Sequence, residues 1–130
     1  MKYLKHIILI LILIALDFFT KLFFKNKNIY SGNTGIAFGL FQNNNLLFII
    51  LTLIVILVIL YLYKEKEFHF GLDFILAGAI GNLISRIIYG FVIDFIDIKI
   101  WPSFNFADIF IVIGILMIFY KYFQSRKDYK

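Results

Sequence analysis

Two aspartates stand where a carboxylate is costly. Asp94 lies in Val92-Ile93-Asp94-Phe95 and Asp108 in Phe104-Asn105-Phe106-Ala107-Asp108, each beside a long apolar stretch. An ionisable group at such a place costs several kcal/mol unless paired, so each is a functional candidate. Fourteen positions separate them, a loop that folds back to bring both carboxylates to one interface. Two such groups a few Å apart do not both ionise easily and share a proton. One then activates a water as general base while the other protonates a carbonyl oxygen. This is the chemistry of peptide hydrolysis without a metal or a nucleophilic side chain, and its titration belongs to the pair.

Other chemistries lack their residues. The chain has no cysteine, which removes thiol catalysis, zinc thiolates and disulfides. The two histidines, His6 and His69, fall at the other ends of the apolar stretches, so no serine–histidine pair forms near the aspartates. A His-Glu-x-x-His zinc signature and a Gly-x-Gly-Asp motif are both absent. No metal and no cofactor are expected. Asn33, Asn82, Asn105 and Arg86 remain as supports for carboxylates.

Simpler roles compete for the same residues. Asn105 reads as a helix N-cap and Asp108 as the third helical residue, where a negative charge suits the helix dipole. Capping and catalysis are compatible: the dipole favours the charged form of Asp108 and leaves Asp94 to hold the shared proton. Asp97, three residues after Asp94, is a competing partner, although Lys99 offers it a neutralising charge. The residues alone leave that choice open. Asp17 and Lys21 have the i, i+4 spacing of an intrahelical ion pair or of a functional pair. Asn82 and Arg86 share a helix face, to orient carboxylates or bind a lipid phosphate.

These side chains need a scaffold that holds them at the edge of an apolar medium. Of 130 residues 62% are hydrophobic, and mean hydropathy is +0.92, far above soluble usage. Four apolar runs at about 7–24, 46–63, 70–89 and 107–123 are each close to the roughly 20 residues that span hydrocarbon. The expectation is an all-α membrane protein: one domain over 1–130, four transmembrane helices and a small β-like loop platform outside the membrane. Lys2 and Lys5 before the first run mimic a signal peptide, but no small-x-small cleavage site follows, so that run is read as a permanent helix. Ala77 with Gly81, and Gly78 with Asn82, have the spacing that lets spanning helices approach closely.

Residues 64–67 make a tight hairpin, which places loops 25–45 and 90–106 together at the opposite side. Eight Lys and Arg then flank the termini side and five the other, so the positive-inside rule puts both termini in the cytoplasm and the aspartates outside. The net charge of +5 reads as topology signals and anionic-lipid contacts, not as nucleic-acid binding, because the basic residues cluster at the ends of apolar runs. Loop 25–45 is rich in Asn and Gly, which suits turns and short strands lying on the bilayer as a substrate platform.

The arrangement resembles the lipoprotein signal peptidase (signal peptidase II) family over nearly the whole chain. Asp17-Phe18-Phe19-Thr20-Lys21 resembles its Asp-x-x-x-Lys, Asn33-Thr34-Gly35-Ile36-Ala37-Phe38 its Asn-x-Gly-x-Ala-Phe loop, and Gly78 to Arg86 its glycine–asparagine motif. Val92 to Phe95 is similar to its Val-x-Asp-Phe, and Phe104 to Asp108 to its Phe-Asn-x-Ala-Asp. Each motif is weak alone; five in order are specific. The resemblance implies that Asp94 and Asp108 are the catalytic pair, with Asn33, Gly35, Asn82, Arg86 and Asn105 shaping the site and Asp17 supporting it. It implies prolipoprotein substrates cut before a diacylglyceryl-cysteine at the outer face of the cytoplasmic (inner) membrane, and inhibition by globomycin-type cyclic peptides. One position departs: Ser85 stands where the family usually has Asp before the arginine, so Arg86 needs another partner, with Asp97 or Asp17 as substitutes. A small four-helix transporter is the rival class, but such proteins hold their acid at mid-membrane, whereas these acids lie near an interface. A structural membrane adaptor would not require two acids flanking an irregular loop.

Overall fold

The computed structural model describes residues 3–35 and 43–127. Four helices, α1 (Leu4–Asn26), α2 (Asn45–Leu62), α3 (His69–Tyr89) and α4 (Phe106–Lys127), are each long and apolar enough to cross a membrane. Most large apolar side chains of α1, α2 and α4 point outward, as they must where the solvent is hydrocarbon. The protein is a multi-pass membrane protein. Both outer helices run past the expected 7–24 and 107–123, since a helix continues through the headgroup region until a turn ends it.

α3 is the axis of the bundle, with 67% of its apolar window buried against 11% for α2. Small residues make this possible. A Cβ on Gly78 would lie 2.3 Å from the Ala107 carbonyl oxygen, and one on Gly114 2.5 Å from that of Gly71, so α3 and α4 touch backbone to backbone at two levels. α1 packs against α3 and, more lightly, α4, its Leu13 meeting Ala77 of α3 and Phe110 of α4. α2 has α3 as its one substantial helix neighbour among the described residues and buries only Phe48 and Ile59.

The connection between α2 and α3 is the short hairpin expected, tightened by a 3-10 turn at Lys66–Phe68. At the far end Gly90 takes a left-handed φ of 78° and its N–H closes α3 on the Arg86 carbonyl at 3.0 Å, a conformation that glycine adopts at no steric cost. The chain can then enter β2 (Val92–Asp94), which pairs antiparallel with β1 (Ser31–Asn33) in the register Ser31 to Asp94 and Asn33 to Val92. This two-stranded sheet is the platform expected from loop 25–45. Ile96 and Phe104 bridge the next loop, returning the chain to α4.

Candidate active site

The antiparallel register fixes the first half of the site. Asn33 and Asp94 are diagonal neighbours on one face of the sheet, and the Asn33 Nδ2 donates to Asp94 Oδ2 at 3.1 Å. The Asn33 Oδ1 accepts the Gly35 N–H at 3.0 Å, which orients the amide and curls the loop. The remainder of that motif, Ile36, Ala37 and Phe38, lies outside the described residues.

The second half comes from the start of α4. Asn105 Oδ1 accepts the Asp108 N–H at 3.1 Å, and Asp108 Oδ2 accepts the Asn105 N–H at 3.0 Å. This is a reciprocal capping box with aspartate in the role usually taken by glutamate. It leaves Asp108 Oδ1 for the Asn82 Nδ2 at 2.9 Å. Asn105, fully buried, sends its Nδ2 to Asp94 Oδ1 at 2.6 Å and to Asn82 Oδ1 at 3.1 Å. The two carboxylates are thus held in one network by two amides, Asn82 from α3 and Asn105 from the α4 cap. A cleft of 320 Å³, lined by Tyr30, Ser31, Asp94 and Phe95 among others, opens on Asp94.

Asp17 and Lys21 form the ion pair their spacing allows, at 2.7 Å and almost wholly buried. The pair also reaches beyond α1. Asp17 Oδ1 accepts the Ala107 N–H at 2.9 Å, satisfying one of the unpaired amides at the start of α4. Lys21 Nζ donates to Asn82 Oδ1 at 2.9 Å. An ammonium has no acceptor, so this contact, together with the Asn105 Nδ2, sets which end of the Asn82 amide faces Asp108. Gly81 makes room for the arrangement, since a Cβ there would sit 2.5 Å from Asp17 Oδ2. Sequence reasoning placed Asp17 among the supports but missed Lys21 as a link to Asn82; the Asp-x-x-x-Lys spacing was the available signal.

Arg86 does not find the expected substitute. Asp97 is spent on its neighbour: its Oδ2 meets Lys99 Nζ at 2.6 Å and its Oδ1 the Lys99 N–H at 2.8 Å. The turn that makes this possible has Lys99 at φ 68° and stands in solvent. Asp17 is likewise engaged with Lys21. Arg86 instead lies over the Phe48 ring, 5.4 Å from its centroid, and donates to the Gly35 carbonyl at 3.3 Å, while its Nε has no partner among the described residues. It therefore clamps α2 and the Asn33–Gly35 loop, in the field of Asp94 and Asp108. Asp97→Asn is expected to leave thermal stability essentially unchanged, as for an exposed pair. A clear loss on thermal unfolding would restore Asp97 as a structural partner.

Charges explain how the cluster is tolerated. Asp17, Asp94 and Asp108 face Lys21 and Arg86, leaving one excess negative charge that a single shared proton removes. Burial pushes the Asp94 carboxyl up to about 6, and the nearby Asp108 charge adds to this against the opposing amides of Asn105 and Asn33. Among the described residues no three His, Cys, Asp or Glu side chains converge as a metal cage.

The profile of the family described as signal peptidase (SPase) II matches residues 9–124. A lipoprotein signal peptidase of Thermodesulfovibrio yellowstonii is 44% identical over 72% of this chain and 67% of its own length. One of Clostridioides difficile is 36% identical over 93% and 97%. The fold matches a solved bacterial membrane enzyme with a TM-score of 0.87 over 97% of this chain and 92% of that one, at 24% identity. With the family profile spanning nearly all of the sequence, the chain belongs to the signal peptidase II family.

Proposed function

We propose that this membrane peptidase removes signal peptides from prolipoproteins by activating a water between Asp94 and Asp108. The observation that carries the reading is the amide network: Asn82 and Asn105 hold two carboxylates from different elements at one end of the bundle. A transporter reading has nothing comparable to explain that convergence.

The environment divides the roles. Asp108, at a helix N-terminus and accepting two N–H bonds, acts as the base and takes a proton from water. Asp94 holds the shared proton and gives it to the scissile carbonyl oxygen as hydroxide adds to the carbon. In the collapse Asp108 returns its proton to the leaving nitrogen, and Asp94 recovers one from the diol as the C–N bond breaks. Both groups end as they began.

Substrates are prolipoproteins bearing a diacylglyceryl-cysteine, whose acyl chains keep the scissile bond at the interface where the sheet and the α4 cap lie. The excess of basic residues at the termini side supports termini in the cytoplasm and a site on the outer face of the cytoplasmic membrane. Globomycin-type peptides block the site by placing a hydroxyl at the two carboxylates. Incubating purified protein with diacylglyceryl-modified prolipoprotein should give a shift in gel mobility that the unmodified precursor does not show. No shift with the modified substrate would sink the reading.

The pH dependence has a definite sign. Asp94 must be protonated to act, and its raised value means it keeps the proton at a pH where an ordinary carboxyl has lost it. The kcat/KM is therefore expected to fall as pH rises through about 6, approaching tenfold per unit beyond it. A rate that instead rises through this range would make Asp94 the base.

A further inference from the structure

At the end of the bundle opposite the aspartates, a second buried polar cluster takes no part in the proposed chemistry. His6 Nδ1 meets Asp73 Oδ2 at 2.6 Å, and the Tyr63 hydroxyl donates to Asp73 Oδ1. His69 Nε2 lies 2.8 Å from the Tyr63 carbonyl oxygen, an acceptor only, so this nitrogen carries a proton. His6 and His69 are each 6% exposed and Asp73 is not exposed at all. A carboxylate sealed in this way normally serves its neighbours. Here it fixes the His6 ring through Nδ1 and leaves the other ring nitrogen on the pocket side.

The cluster has an opening. A pocket of 440 Å³ is lined by Tyr3, Lys5, His6, Lys66, His69 and Phe70. Its polar lining is two ammonium groups and two imidazoles, with no carboxylate, because Asp73 lies behind His6 and Glu65 faces a different pocket. Tyr3 and Phe70, each about half exposed, give it an apolar flank, and Lys5 Nζ is held 5.2 Å above the Phe70 ring. Two ammonium groups at one space without a carboxylate call for an anion with several acceptor oxygens. The position at the junction of spanning helices with water calls for one attached to a lipid.

We propose that this pocket binds the phosphate of an anionic membrane lipid, with Lys5 and Lys66 supplying charge and donors, His6 and His69 forming its floor, and the acyl glycerol lying against Phe70. The lipid would join the start of α1 to the α2–α3 hairpin, elements held together there by few other polar contacts than the His6–Asp73–Tyr63 chain.

The test uses the purified full chain in detergent, titrated with phosphatidylglycerol, phosphatidylcholine or inorganic phosphate while thermal unfolding and retained lipid by native mass spectrometry are followed. Lys5 and Lys66 are exposed, so K5Q/K66Q should fold; K64Q/K121Q removes equal charge at the same end outside the pocket. Phosphatidylglycerol should bind the native chain and K64Q/K121Q alike, and K5Q/K66Q about 30-fold more weakly at about 1 kcal/mol for each cation lost. Phosphatidylcholine should show no such difference. Equal affinity for the two lipids, or an equal loss in both double variants, overturns the proposal. Inorganic phosphate that displaces phosphatidylglycerol supports a phosphate-reading pocket; phosphate binding where phosphatidylglycerol does not bind replaces the lipid with a free anion and overturns it.

Discussion

Asp94→Asn and Asp108→Asn are each expected to lower turnover about 10²- to 10⁴-fold, the range of a lost general acid or base. The double variant should be no worse than either single, because the carboxylates act as a unit. Folding should survive in both cases, for asparagine keeps one acceptor oxygen where two amides now converge. The stability costs should differ in origin. Asp94→Asn gives up one accepted hydrogen bond, from Asn33 or Asn105, because the new amide nitrogen cannot accept it. Asp108→Asn weakens the capping box and should cost about 1 kcal/mol. Cleavage of modified prolipoprotein measured beside thermal unfolding separates the two effects. Near-native turnover in either single variant would remove the dyad.

Lys21→Met is expected to destabilise the protein by about 3–5 kcal/mol, because it leaves the Asp17 carboxylate buried without its cation. Adding Asp17→Asn should return much of that loss: the pair is then gone as a pair, and the asparagine oxygen still accepts the Ala107 N–H. Turnover should not return with it. Without Lys21, Asn82 Oδ1 keeps only the Asn105 Nδ2 as donor, so the amide that holds Asp108 is less firmly fixed. A double variant as unstable as Lys21→Met alone would show that the ion pair is not what that substitution breaks. A double variant with native turnover would show that the Lys21–Asn82 contact is dispensable.

The contrast between Lys21 and Asp94 shows what a sequence of this kind makes legible. Spanning helices announce themselves because hydrocarbon demands long apolar runs, and an aspartate beside such a run stands out for the same reason. Asn105 and Asp108 were readable as a helix start because capping is local, acting over three residues. Contacts across 60 or more positions left weaker traces. Lys21 to Asn82 and His6 to Asp73 join helices whose rotation about their axes no spacing rule fixes. Asp73 was passed over although it stands four residues from His69 on one helix face, a spacing that pointed to a polar cluster at that end. For Arg86 the sequence left another acid, a lipid phosphate or water to stand in for its usual partner. An aromatic face and a carbonyl served instead, and the nearest spare acid had a lysine two residues away.

The uneven grip on α3 has a mechanical meaning. Where backbones meet through Gly71, Gly78, Ala107 and Gly114, with Ile75, Ile111 and Ile118 closed in around the glycines, the angle between α3 and α4 has almost no travel. That contact carries Asp108, Asn105 and Asn82 together, and it behaves as a fixed jaw. α2 is pinned at two points, Phe48 under Arg86 near one end and Ile59 near the other, with lipid-facing side chains between them. Any widening needed to admit a helical segment sideways from the bilayer falls on that side, and the side chain that swings with it is Phe48. Arg86, resting on that ring while holding the Gly35 carbonyl, then transmits the displacement of α2 to the loop that positions Asn33 against Asp94.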